Sequence, residues 1–372
     1  MRYFITIAGA LAVALASSCS GHGDADIASA PDTLDIKSNS VLIADDALIQ
    51  PQTLYATSQN LVVVNSPGCD SLVSLYSLSG SHSRNLLRKG NGPEEVAFIY
   101  SSYIDAGADC LMLTSAPGSL SSLNLTAGAQ PPLLTKAFTY DPATAGTPDS
   151  LNLNMELFRM AGGTILAGVQ SPEGYFAIFR PDGRFDRYAV TPIPESDFGE
   201  GFPDYMKYNF CRPVGAVSPD GRHFACYFGG ADMMAFASLE ADSLTFKVNY
   251  DAPPRGIKIK IGDGWSAFEY DDTHCINYPG RPCLSNSHVY VRYVGLPDKE
   301  AYARNEAMTN GDIPPSTLVR IYDFNGTLRR VINLDCMALS IAVSPDDSTL
   351  YALTESADSG YSCITYALPP ID

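Results

Sequence analysis

The sequence predicts an all-β fold in which four-stranded sheets repeat around an axis, a six-bladed β-propeller. Three observations carry this expectation. Short runs of alternating apolar, branched and aromatic residues fill the chain, as in Leu61-Val-Val-Val64, Leu72-Val-Ser-Leu-Tyr-Ser-Leu78 and His288-Val-Tyr-Val-Arg-Tyr-Val294; such runs suit half-buried strands. Turn pairs separate them, among them Ser79-Gly80, Asp182-Gly183, Asp220-Gly221 and Asn325-Gly326, which supply the backbone freedom a tight hairpin needs. The strand-and-turn unit also recurs: Val217-Ser-Pro-Asp-Gly-Arg-His-Phe-Ala225 matches Val343-Ser-Pro-Asp-Asp-Ser-Thr-Leu-Tyr351. A period of about 40 to 55 residues is the mark of a propeller, and seven shorter blades are the alternative to six.

The chain begins with a targeting segment. Met1-Arg2 is a minimal basic start, and Tyr3 to Ala16 is apolar and too short to span a bilayer. Ala16-Ser17-Ser18-Cys19 then resembles a bacterial lipoprotein signal, in which Cys19 becomes the lipidated N-terminus. The usual Leu three residues before the Cys is Ala16 here. An ordinary secretory signal cut near the same place is the alternative. Residues 1–18 are thus expected to be signal, 19–31 a small, polar, flexible tether, and 32–372 one propeller domain.

Within that domain the blades are expected at 51–92, 93–140, 150–195, 208–262, 266–334 and 336–368. Blade one should carry strands at 52–57, 60–65, 71–78 and 83–88. Blade six has room for only three, near 338–343, 349–354 and 361–367. The partly alternating segment Asp32 to Ile43 is expected to supply the fourth and close the ring, which removes exposed strand edges. Two insertions interrupt the pattern. One is Glu195 to Tyr208; the other, Asp298 to Pro315, holds the one predicted helix, ending at Asn310-Gly311.

The formal net charge is −17, or −18 once Arg2 leaves with the signal. Such a surface argues against nucleic acid and against electrostatic docking on anionic lipid, so contact with a membrane would run through the lipid on Cys19 alone. If Cys19 carries lipid, eight cysteines remain, an even number that favours disulfides in an exported chain. Cys275–Cys283, flanking a turn at Tyr278-Pro279-Gly280-Arg281-Pro282, is the first pairing expected.

The Ser-Pro-Asp-Gly turn before a strand is the repeat mark of TolB-like propellers. Leu86-Leu-Arg-Lys-Gly-Asn-Gly-Pro-Glu-Glu-Val96 resembles the Gly-x-Gly-Pro-Gly-Glu element of the six-bladed, TolB-like propeller lipoproteins of the Bacteroidetes, with Glu94 in place of the second Gly. The resemblance implies a fold and an outer-membrane, periplasmic or cell-surface setting, and implies no reaction.

Searched for chemistry, the chain holds no hydrolase, metalloprotease, Walker or dinucleotide signature. No cofactor or metal is expected, and no catalytic residue is assigned. The acidic doublets Asp45-Asp46, Glu94-Glu95, Asp271-Asp272 and Asp346-Asp347 read as turn charges, since neighbours on a strand face opposite ways. His274 and His288 read as unrelated strand histidines.

What remains is a binding rim. Connectors between blades share a face with the loops joining second and third strands. Arg88 to Glu95, residues 195–212, Gly262 to Asp272 and Asp298 to Pro315 should therefore converge. They carry Trp265, Tyr270, Tyr205, Tyr208 and Tyr302 with Lys89, Glu94, Arg212 and Glu269, and aromatic faces beside polar groups suit a sugar ring or a peptide. The expected function is a non-catalytic binding or scaffold protein whose partner is a glycan, a peptide or an envelope protein. A lyase or lactonase acting on a sugar or lactone is the alternative, and a buried cluster of histidine and carboxylates on the axis would favour it.

Overall fold

The structure is a computed structural model. It describes residues 33–372 except 45–47, 93, 106, 108, 127–132, 149–150, 199–201, 204–205, 208–209, 242, 263–264, 272, 278–279, 298–299, 301–315, 357–359 and 372; at 155, 196, 251–252, 265–266, 275–276 and 356 it describes the backbone alone. The signal, the tether, Cys19, Tyr205, Tyr208, Tyr302 and all but Glu300 of the expected helix lie outside the described residues. Among the described residues no helix is long and apolar enough to cross a membrane.

Six sheets of four or five strands follow one another along the chain. Sheet one comprises Pro51–Ala56, Asn60–Asn65, Ser71–Ser77 and His82–Lys89, with Glu95–Val96 pairing in parallel at its edge. Sheet two comprises Ser101–Asp105, Cys110–Ala116, Ser119–Asn124 and Leu134–Thr139. Sheet three holds Leu153–Arg159, Ile165–Val169, Phe176–Phe179 and Phe185–Ala189. Sheet four holds Pro213–Val217, His223–Phe228, Asp232–Glu240 and Ser243–Ala252. Sheet five runs Cys283–Leu284, His288–Tyr293, Ser316–Asp323 and Leu328–Ala338, and sheet six Ser340–Val343, Thr349–Ser356 and Gly360–Ala367. Each is an antiparallel meander.

The segment before sheet one joins the two last sheets. Thr33–Ile36 pairs in parallel with Leu328–Ala338, and Ser40–Ile43 pairs antiparallel with Gly360–Ala367 as the fourth strand of sheet six. Asp335 fastens the link between them, accepting from the Ser38 amide at 3.0 Å and from the Ser38 hydroxyl at 3.1 Å. Burial raises the Asp335 pKa, but those bonds and one from the Tyr366 hydroxyl outweigh it and hold the carboxyl below its usual range.

Buried apolar clusters bridge every consecutive pair of sheets, and one bridges the last to the first. Val62, Leu75 and Leu113 join sheets one and two; the largest cluster runs from Tyr103 through Phe176 and Phe224 to Val291, across sheets two to five. Tyr290 and Ile341 join sheets five and six, and Leu61 and Leu353 join sheets one and six. Ring contacts lock sheets three and four, with Phe176 edge-on to Phe224 at 5.5 Å.

The repeated turn works the same way in both copies. Ser218 and Ser344 each bond the Asp two residues on, and the next residue takes positive φ: Gly221 at 71° and Asp347 at 60°. Glycine is needed at 221 because a Cβ there would press on the backbone of Ala161. At 347 the side chain is put to use instead, since Asp347 accepts from His288 Nδ1 at 3.0 Å and the Tyr290 hydroxyl at 2.7 Å, tying sheet six to sheet five.

Two expectations are corrected. Ile257–Gly262, expected in blade four, and Trp265–Tyr270, expected to start blade five, pair only with each other as a separate hairpin. Strand alternation is present in Ile257-Lys-Ile-Lys-Ile, but only the Ile257 end packs against the core cluster, and Ile261 is 67% exposed. The Cys275–Cys283 disulfide is not made. Cys275 pairs with Pro297 in a two-stranded ladder, Cys283 pairs with Tyr290 in sheet five, and Cys283 is a free thiol.

Seven described cysteines are free: Cys69, Cys110, Cys211, Cys226, Cys283, Cys336 and Cys363. Burial drives the Cys211 and Cys363 thiols up to about 12 and Cys226 well above its usual range, which leaves almost no thiolate at neutral pH. Iodoacetamide should therefore modify partly exposed Cys69 in the folded protein and spare Cys211, Cys226 and Cys363. In denaturant without reductant all seven should be labelled, as peptide mass spectrometry would show. A pair that stays unlabelled until reduced would contradict this.

Candidate functional site

The inner strands of the sheets converge on a charged cluster. Glu156, the only acid in Leu153–Arg159, is 2% exposed. The ladder of that strand is irregular between Leu153 and Leu157, and Asn154 Oδ1 caps the Glu156 amide at 2.8 Å. A bulge of this kind re-aims side chains. Arg281 meets both carboxylate oxygens, at 3.1 and 3.2 Å, and also reaches the Ser101 hydroxyl at 2.9 Å and the Gly215 carbonyl. Ser101 donates to Glu156 at 2.6 Å, and Arg212 adds a bond at 3.3 Å. One guanidinium thus links sheets two, three and four, with a second beside it.

The chain aims both arginines in the same way. Arg212 stands before Pro213 and Arg281 before Pro282, and a following proline holds its predecessor extended. Gly280, at φ 113°, leaves room for the Arg292 guanidinium, which a Cβ there would strike. Burial lowers the Arg292 pKa to about 10, and its Nη1 donates to the Ala338 carbonyl at 2.8 Å. Burial acts on Arg281 in the same sense, but the Glu156 charge overrides it and keeps that guanidinium protonated.

The two ends of the axis differ. Ser101, Arg212 and Arg281 stand at or before the first residues of their inner strands. At the strands' other ends Ala56, Ile104, Val217, Leu284 and Val343 line a space of about 30 Å³, room for a water or two. At the arginine end Arg212 is 42% exposed on its side chain. Its buried Nε has no hydrogen-bond partner among the described residues, a donor that an acceptor or ordered water would satisfy.

An aromatic cluster begins at Phe210, two residues before Arg212. Phe210 packs against Phe268 at 5.3 Å and His274 at 6.1 Å, and His274 stacks on Tyr270 at 4.3 Å. Phe202 also stacks on Phe268, at 6.3 Å. Residues 195–212 and the 257–270 hairpin therefore meet. Tyr270 remains 46% exposed at the end of this chain of rings.

The other rim residues are held locally. Lys89 donates to the Pro67 carbonyl at 2.8 Å, Glu94 accepts from the Leu133 amide at 2.8 Å, and Glu269 pairs with Lys260 at 2.8 Å across the hairpin. The Gly92 amide is taken by Glu95 at 2.9 Å, so the glycine-rich connector is filled by its own carboxylate. Trp265 is described at its backbone alone, in the hairpin strand. Of the expected residues, Tyr270 is joined by ring contacts to Phe210, two residues before Arg212. Glu156, Ser101 and Arg281 were not expected in the site; the arginine-proline pairs heading two inner strands and the lone acid in an apolar strand were the available signals.

No family model and no curated protein matches the chain. Among solved structures it is similar to the β-propeller domain of Cps50 (Swd1) from Myceliophteria thermophila, at 10% identity and TM-score 0.49, covering 89% of this chain and 99% of that one. It is similar to a Bacteroides fragilis protein described as exported, at 10% identity and TM-score 0.47, covering 91% and 100%. A gluconolactonase from Xanthomonas campestris gives 14% identity and TM-score 0.43, covering 92% and 99%.

Proposed function

We propose that this chain is an exported, non-catalytic binding protein of the cell envelope, held at the outer membrane by a lipid on Cys19. Its body is read as a six-bladed propeller closed by Ser40–Ile43. The six meanders and the cluster joining the last sheet to the first support that reading. The ligand is a glycan or peptide segment carrying an acidic group, bound on the face where the inner strands begin.

One observation carries the proposal: the half-exposed guanidinium of Arg212 belongs to a segment whose Phe210, two residues earlier, begins a run of ring contacts through His274 to the exposed ring of Tyr270. A guanidinium fork suits a carboxylate and an exposed ring suits the face of a sugar or a side chain. The lyase or lactonase alternative asks for histidine beside carboxylates on the axis. Glu156 is bound there to two arginines instead, while His274 lies against Tyr270 and His288 against Asp347.

Glycan and peptide arrays, probed with the soluble domain with and without chelator, test the reading. Acidic members should bind, and Tyr270→Ala should weaken them by about tenfold, equivalent to about 1.4 kcal/mol. Binding confined to neutral or cationic members would overturn it.

A further inference from the structure

A second cavity lies on the opposite face, between sheets three and four. Its volume is about 530 Å³, within the range of small-molecule sites. The loops joining first to second strands (Ala161, Arg222) and third to fourth strands (Arg180, Ala241) line it. Such loops lie at the end of the inner strands away from Arg212.

The cavity is held open by bonds on both sides. The Ala161 amide donates to the Gly221 carbonyl at 2.7 Å, joining the two inner loops. On the outer side Arg187 Nη2 donates to the Leu244 carbonyl at 3.0 Å, joining the outer strands. Ile178, Leu239 and Leu244, each under 10% exposed over the whole residue, give it an apolar floor.

Its charge runs against that of the chain. Arg180, Arg187 and Arg222 line it with Asp186 as the one lining acid, a balance of +2 on a chain of −17. Asp186 is already shared by Arg180 at 2.7 Å and Arg187 at 2.6 Å. Arg222 is exposed, and its guanidinium has no ion pair among the described residues. Asp182, Asp220 and Glu240 adjoin lining residues without lining the cavity themselves.

We propose that this cavity binds a small amphipathic anion, an apolar body on Ile178, Leu239 and Leu244 with a carboxylate, sulfate or phosphate held by Arg222 and Arg180. The apolar floor selects for the body, and the unshared guanidinium selects for the sign of the head group.

Titration calorimetry on the mature protein tests this with octyl sulfate and octanoate as probes, both below their micelle concentrations, and octanol as the neutral control. Both anions should bind at least about tenfold more tightly than octanol. Arg222→Ala should weaken the anions about tenfold and leave octanol unchanged, while Lys136→Ala on an exposed strand should leave all three unchanged. Leu244→Asp should weaken all three. Equal binding of octanol and octyl sulfate would overturn the proposal. Loss of octyl sulfate binding in Arg212→Ala with retention in Arg222→Ala would also overturn it, by moving the anion to the axial site.

Discussion

Replacing Glu156 with alanine is expected to destabilise the folded protein by about 3–5 kcal/mol, because it strands a buried charge. Arg281, 12% exposed on its side chain, would lose its only carboxylate among the described residues, and Arg212 would lose its ion pair with it. Arg281→Met should cost a similar amount by leaving Glu156, 2% exposed, with the longer bond to Arg212 as its one remaining ion pair among the described residues, beside the neutral Ser101 hydroxyl. The double variant Glu156→Ala with Arg281→Met should cost less than the sum of the two, since the removal of both charges leaves neither uncompensated. Denaturant unfolding of the four proteins closes the cycle. Strict additivity would show that the axial pair is not a unit.

Deleting the N-terminal strands is the second large effect. Removal of residues 20–43 exposes the edges of sheets five and six and uncovers the cluster in which Ile43, at 2% exposure, packs with Leu353 and Cys363. Burial of one such side chain is worth about 1.5–3 kcal/mol, and most of the accompanying backbone bonding is offset by chain entropy. Melting should fall by about 5 °C or more, whereas deletion of residues 20–30 alone should leave it unchanged. Equal melting of the two truncations would sink the closure. Acid should loosen the same segment. The Asp335 pKa is lowered in the folded state, so its contribution is present above the ordinary carboxylate range and is lost as pH falls through the folded pKa. Hydrogen exchange at Ser38 and its neighbours should quicken on acidification, and Asp335→Asn should remove much of that pH dependence.

Much of this fold was legible because strand alternation and turn chemistry agree. In sheet one the expected 60–65 coincides with Asn60–Asn65, 71–78 differs from Ser71–Ser77 by a residue at one end, and 52–57 and 83–88 differ from Pro51–Ala56 and His82–Lys89 by a residue at both ends. Sheet five was less legible for a physical reason. Its inner strand is only Cys283–Leu284, too short to alternate, while the exposed hairpin Ile257–Tyr270 alternates as a sheet strand would. Alternation reports that one face differs from the other and not what covers it. The axial cluster was hidden in a similar way. Arg281 looked like a turn residue, yet it spans from the segment before sheet five to Ser101 and Glu156, 180 and 125 positions earlier. No local pattern encodes a contact at that separation. The expected meeting of residues 195–212 with the 262–272 connector is seen in the Phe210–Phe268 contact, because both segments could be assigned to one rim from the order of the strands.

The binding claim is tested most directly by titrating the soluble domain with an acidic oligosaccharide, its neutral counterpart and an acidic peptide. The same titrations are repeated on Arg212→Ala and on Lys136→Ala. The account predicts that an acidic ligand binds, that Arg212→Ala weakens it by about tenfold or more, and that Lys136→Ala leaves it unchanged. An affinity for acidic ligands that Arg212→Ala does not alter would contradict it.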